Sequence, residues 1–128
     1  MKNNFSILFA GILFMACISP AHAASVVQLW TCELHEGKTR TELTEISVAW
    51  MEAVRSMDGS EAFEGFLEFP IAADDANVFT FVLTVDSATS WGAFQDAYPG
   101  SAAEEVDEAW GEVADCSESS LWSSTELQ

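Results

Sequence analysis

Basic residues are nearly missing from this chain. Its 128 residues include four Lys and Arg against 21 Asp and Glu, a formal net charge of −17. Such a field repels nucleic acid and anionic membrane surfaces, because phosphate binding needs a cationic face. Histidine is as scarce, with only His22 and His35, and there are three cysteines and three prolines. So few imidazoles and thiols make a poor structural zinc site. No Ser-His-Asp order, phosphate-binding glycine loop or EF-hand string is present. Neither a metal nor a cofactor is expected. Repeats, low-complexity tracts and linkers are also lacking, which leaves one domain. The Trp and Phe content is too high for a disordered chain.

Long apolar runs are absent except at the start. Phe5 to Ile18 is uncharged and apolar, follows Lys2, and is broken by Pro20 before Ala21-His22-Ala23. The run falls short of the roughly 20 residues that span a bilayer. With small residues at the two positions that a signal peptidase reads, it has the form of an export signal, residues 1–23, cleaved after Ala23. Phe14-Met15-Ala16-Cys17 faintly resembles a lipobox, the competing reading. The mature chain would then be one domain over residues 24–128, periplasmic or secreted. It keeps three cations, Lys38, Arg40 and Arg55, against 21 acids, a net charge of −18. No membrane association is expected after cleavage. The acids are spread from Glu33 to Glu126 and suit a solvated surface.

Loss of Cys17 with the signal leaves Cys32 and Cys116, an even pair in an oxidising compartment. A disulfide is the default for such a pair.

Val26 to Leu34 is rich in β-branched and aromatic residues and reads as a strand. Thr39-Arg40-Thr41-Glu42 has the form of a capping box, and Leu43, Ile46, Trp50, Ala53, Val54 and Met57 follow at helical spacing, with Gly59 as the stop. Gly65 to Ala72 reads as a strand that Pro70 confines to a sheet edge. Val78 to Val85 is a continuous apolar and β-branched run, as in a central strand. Asp86 or Ser87 then caps a short helix carrying Trp91, Phe94 and Tyr98, which Pro99-Gly100 breaks. Ser101 to Glu104 forms a second capping box, opening a helix with Val106, Ala109, Trp110, Val113 and Ala114 on one face, ended by Cys116. Leu121 to Leu127 reads as a final strand.

The order β-α-β-β-α-β, its second helix broken at Pro99-Gly100, is the α+β ferredoxin-like pattern: an antiparallel sheet with helices on one face. In that pattern the end of the first strand meets the start of the last, which brings Cys32 toward Cys116. Val26, Trp30 and Leu34 point to one face of the first strand and Val27 and Leu29 to the other. Phe79, Phe81, Leu83 and Val85 similarly oppose Val78 and Val82. Neither face is polar, so the face without helices calls for a cover, most simply a second copy in a homodimer.

The strand Val78 to Val85 runs directly into Ser87-Ala88-Thr89-Ser90-Trp91-Gly92-Ala93-Phe94. This stretch resembles the dimeric α/β-barrel superfamily, in which a similar strand leads into a Ser-x-x-x-Trp-x-x-Phe helix start. Trp30-Thr31-Cys32 and Cys116 also resemble uncharacterised exported proteins of the same build. The superfamily includes antibiotic-biosynthesis monooxygenases, haem-degrading enzymes and proteins with no known chemistry. The resemblance implies a ferredoxin-like fold and dimerisation, and leaves the activity open.

The site candidates are few. His35 would be a general base or metal ligand, or else an exposed loop residue beside Glu33 and Glu36. Trp30, Phe81 and Trp91 are the candidates to line a small hydrophobic pocket between sheet and helices. Trp50 and Trp110 fall on apolar helical faces and read as core, whereas Trp122 could face a cavity or a dimer seam. Glu104-Glu105-Val106-Asp107-Glu108 reads as a solvated helix face with acids at its N-terminus. Three functions fit: a binding protein for a small hydrophobic ligand, a cofactor-independent monooxygenase-like enzyme, or an interaction protein that uses its dimer face.

Export of the full chain, followed by intact mass analysis, should give a protein that starts at Ala24. A lipid on Cys17 would contradict this reading.

Overall fold

The computed structural model describes residues 25–72 and 75–125. The signal segment lies outside the described residues. Seven elements follow in order: β1 (Ser25–Leu34), α1 (Arg40–Arg55), β2 (Glu64–Glu68), β3 (Val78–Val85), α2 (Ala88–Ala97), α3 (Ala102–Gly111) and β4 (Ala114–Ser124). The four strands form one antiparallel sheet in the order β2-β3-β1-β4. This is the ferredoxin-like arrangement, with β1 and β3 central and β2 at an edge.

Local chemistry starts each helix. At α1 the Thr39 hydroxyl accepts from the Glu42 amide, and the Glu42 carboxylate accepts from the Thr39 amide at 2.8 Å. These bonds satisfy two donors that the first turn would leave orphaned. Ser87 caps α2 through the Ser90 amide, and Ser101 caps α3 through the Glu104 amide. The second capping box is incomplete, because the Glu104 carboxylate takes the amide of Gly100 instead. Gly100 has φ +76°, a left-handed conformation that disfavours a side chain, and it turns the backbone between α2 and α3.

One face of the sheet carries the core. Val26, Cys32 and Leu34 of β1 and Phe79, Phe81, Leu83 and Val85 of β3 are buried beneath the helices, with Leu43, Trp50, Met51 and Val54 of α1 above them. Phe63, Phe79, Leu43 and Leu83 are the largest fully buried side chains. Gln28 also sits on this face, 6 % exposed. Its Nε2 donates to the Ser120 carbonyl at 3.1 Å and to the Leu29 carbonyl at 3.3 Å, so the buried amide is satisfied. At Gly65, Met51 packs so close that a Cβ would lie 2.5 Å from its sulfur.

The opposite face is apolar at its centre. Residues paired across an antiparallel ladder share a face. The rows Phe66–Val82–Leu29–Ser120 and Glu64–Thr84–Val27–Trp122 therefore lie on the side away from the helices. Phe66 is 49 % exposed and Trp122 60 %.

The elements depart from the sequence reading at three boundaries. β2 ends at Glu68, so Pro70 lies beyond the strand instead of inside its edge. α3 stops at Gly111 and does not run on to Cys116. The Val113 amide bonds to the Trp110 carbonyl in a closing turn, and the chain then extends. β4 begins at Ala114, well before Leu121. Its serine-rich sequence has little intrinsic strand preference, and β1 supplies the ladder that holds it, from Ser25↔Ser124 to Leu34↔Ala114. A register shift between Thr31 and Cys32 leaves Ser117 as the extra residue of a bulge.

Cys32 pairs with Cys116 across that ladder, their Cα atoms 3.9 Å apart, and the two are joined as a disulfide closing 84 residues. The cysteines are thus neighbours in adjacent strands, with Cys116 inside β4 and not ahead of it. Reduction should lower the unfolding free energy by about 2–5 kcal/mol, the usual loss for a small disulfide-bonded domain. Denaturant titration with and without reductant measures this. Identical midpoints would contradict the pairing.

Candidate functional site

Sheet and helices do not close completely over each other. Between them lies a cavity of about 240 Å³, lined by Trp30, Trp50, Phe81, Phe94, Gln95, Tyr98, Asp107, Trp110 and Cys116. Every layer contributes. Trp30 and Phe81 come from the central strands and stack with centroids 5.6 Å apart. Trp50, from α1, meets Phe81 edge-on at 5.4 Å. Phe94, Gln95 and Tyr98 come from α2 and its C-terminal cap, and Asp107 and Trp110 from α3. Cys116 brings the disulfide to the wall.

The helix break sets this geometry. Phe94 and Tyr98 are four residues apart on one face of α2 and contact each other edge-to-face at 5.4 Å. After the turn at Pro99-Gly100, α3 presents Ala103, Asp107 and Trp110 at spacings of four and three, one helical stripe. Ala103 is fully buried and Trp110 8 % exposed, and Asp107, on the same stripe but itself exposed, sits at the cavity rim where it meets solvent.

Two hydrogen bonds hold two of the three lining indoles. Trp50 Nε1 donates to the Tyr98 hydroxyl at 3.2 Å, and Trp110 Nε1 donates to the Ser47 hydroxyl at 3.0 Å. Both N–H groups are thereby engaged within the protein. Burial pushes the Tyr98 phenol up to about 12, and the charges of Asp107 and Glu104 push in the same direction. Partial burial likewise raises the Asp107 carboxyl, helped by the neighbouring Glu104 charge and opposed by the nearby Tyr98 hydroxyl.

Of the candidates from sequence, Trp30 and Phe81 meet at the cavity, whereas Trp91 does not line it. Trp91 sits one turn before Phe94 on α2 and packs against the core. Its Nε1 is buried and has no hydrogen-bond partner among the described residues. His35 lies elsewhere, in the turn after β1. Its Nε2 is 2.9 Å from Asp115 Oδ2, and its Nδ1 is 3.3 Å from the Glu112 carbonyl. The hydrogen bond with Asp115 raises its pKa first, the Glu112 carbonyl adds to this, and desolvation opposes it. A histidine that bridges to β4 in this way is a structural tie between the two ends of the domain. No group of three or more His, Cys, Asp or Glu that could hold a metal occurs among the described residues.

Trp50 and Trp110, read from sequence as core, are buried and also line the cavity. Asp107 was hidden in an acidic run. Its position four residues after Ala103 and three before Trp110 is the signal that separates it from its neighbours.

No family model matches the chain, and no curated protein matches it. Solved structures do share its fold. SnoaB, a cofactor-independent oxygenase from Streptomyces nogalater, aligns over 82 % of this chain and 97 % of its own, with TM-score 0.60 and 14 % identity. A conserved protein from Methanosarcina mazei aligns over 81 % of this chain and 96 % of its own, with TM-score 0.59 and 10 % identity. A dimeric ferredoxin-like protein of unknown function from Thermobifida fusca aligns over 79 % of this chain and 92 % of its own, with TM-score 0.53 and 14 % identity. At these identities the likeness is one of fold.

The raised Asp107 pKa has a consequence for stability. A carboxyl whose folded-state pKa exceeds its unfolded value holds its proton more tightly when folded. Its stabilising contribution is present below the unfolded value, near 3.8, and is lost as pH rises through the folded value. Asp107→Asn should therefore raise the melting temperature at pH 7 relative to the parent, with the gain shrinking toward pH 3. A variant less stable than the parent at pH 7 would contradict this placement of the carboxyl.

Proposed function

We propose that this is an exported, non-catalytic protein that binds a small, largely apolar molecule in the cavity between its sheet and helices. The carrying observation is the lining itself: six of its nine residues are aromatic. Ligand sites are commonly concave, mostly apolar and supplied with a few convergent polar groups. Gln95, Tyr98 and Asp107 are those groups here. Export is supported by the charge-free segment Phe5 to Ile18 and by the Cys32–Cys116 disulfide, which suits an oxidising compartment.

Binding should be visible by isothermal titration of p-cresol and related small neutral aromatics into the mature, oxidised protein. Gln95→Trp places a bulky ring at the cavity wall from an exposed helical position, and it should abolish binding without unfolding the protein. Unchanged affinity in Gln95→Trp would remove the cavity from the account.

A second reading is a cofactor-independent oxygenase, as SnoaB is described. The observation in its favour is Asp107, whose raised proton affinity beside Tyr98 suits a base acting on a bound substrate. Oxygen uptake with a phenolic ligand, lost in Asp107→Asn, would promote this reading above the first.

The protein is further proposed to be a homodimer that covers the Phe66–Val82–Leu29 and Val27–Trp122 rows with a second copy. Light scattering at micromolar concentration should give twice the chain mass, and Trp122→Glu should give a monomer. A parent that stays monomeric as concentration rises would contradict the covered face.

A further inference from the structure

We infer that the cavity's ligand is an organic cation: a quaternary or alkylated ammonium group held against the aromatic walls and paired with Asp107. The inference rests on the ligand-binding reading above and specifies its chemistry. A cation over the face of Trp, Tyr or Phe is attracted by the ring quadrupole, most strongly where water is excluded. The lining supplies three Trp, two Phe and one Tyr around a single carboxylate. It contains no Lys, Arg or His.

The Lys and Arg side chains among the described residues are engaged elsewhere. Lys38 lies 3.7 Å from Glu42, Arg40 stands 4.2 Å from the Phe69 ring centroid, and Arg55 Nε donates to the Phe63 carbonyl at 2.9 Å. None of them neutralises Asp107. Partial desolvation and the Glu104 charge both penalise the ionised carboxylate, and the attraction of a positively charged guest offsets them.

The hydrogen-bond inventory points the same way. An anionic ligand would meet the Asp107 carboxylate and no cationic side chain, and the N–H groups of Trp50 and Trp110 already bond to Tyr98 and Ser47. What Trp50 and Trp110 leave toward the cavity is ring surface. An inorganic divalent cation fits poorly, since calcium takes roughly six to eight oxygen ligands and this wall is mostly carbon. The formal charge of −17 on the chain attracts cations of any kind, so the test must separate the cavity from the surface field.

Isothermal titration of the mature, oxidised protein with choline and with its neutral carbon isostere, 3,3-dimethylbutan-1-ol, makes that separation. The two probes share a shape and differ in charge. Sodium chloride at about 0.3 M screens the acids farther than about 6 Å from the guest more strongly than a direct contact at the cavity wall. Choline should bind at least about tenfold more tightly than the isostere, in line with a desolvated cation–π contact. Asp107→Asn should erase most of that difference and leave the isostere unchanged. Glu105→Gln removes the same charge two residues away on α3, outside the cavity, and should change neither. If Asp107→Asn does not fold, the probe comparison in the parent protein still decides. Equal or tighter binding of the isostere overturns the cation while leaving a neutral-ligand site standing. If choline, the isostere and p-cresol all fail to bind, the ligand-binding reading falls as well.

Discussion

The break between α2 and α3 is the constraint on which the rest of the molecule depends. A single straight helix over residues 88–111 would lay one continuous apolar stripe along the sheet. Pro99 cannot continue the helical bonding of α2, and Gly100 adopts φ +76°, which turns the chain. The layer above the sheet becomes three pieces instead of two. Where they meet, Tyr98 and Asp107 face the same space from either side of the turn, over a floor of Trp30 and Phe81. The cavity is thus a product of backbone chemistry at two residues and not of loose packing. Two of its three indoles, Trp50 and Trp110, are pinned by hydrogen bonds to Tyr98 and Ser47.

The same layout creates two unequal sheet faces. The helical side buries Phe79, Leu83 and Val85, whereas the other side leaves Phe66 and Trp122 half-exposed or more. An exposed apolar patch on a small protein marks an interaction surface. Strongly acidic edges, with Glu64 and Glu68 on β2 and Glu118 on β4, border that patch. Such borders disfavour indiscriminate edge-to-edge pairing while leaving the centre apolar. The cavity and the apolar face therefore lie on opposite sides of one sheet, so dimerisation through the face need not obstruct the cavity.

Much of this was legible in the sequence, for identifiable reasons. The Thr39–Glu42 capping box, the unbroken Val78 to Val85 run and the Pro99-Gly100 break are local signals, and each element formed where its signal lay. The order of elements then placed Cys32 near Cys116. β4 was only half legible: its serines carry no strand preference, and its ladder is imposed by β1, a non-local cause. The extent of α3 was overread because Val113 and Ala114 continue an apolar period that the chain leaves at Gly111. The cavity lining was legible as aromatic but not as charged. Trp30 and Phe81 were found by alternation along strands, whereas Asp107 was masked by the surrounding acids. Trp91 drew attention through its place in a resembled motif, yet a turn of helix separates it from the cavity. His35 stood out by rarity alone, and its bonds to Asp115 and Glu112 give that rarity a structural use.

The central claim is that the helix break holds open a real cavity walled by aromatic rings. A crystal structure of the mature protein under xenon pressure tests this most directly, because xenon occupies preformed apolar space. A xenon peak among Trp50, Phe81 and Trp110, with Trp50 Nε1 still bonded to the Tyr98 hydroxyl, is the result that this account predicts. Rings of Phe94 or Trp110 swung inward to fill the space, with no xenon between sheet and helices, would contradict it.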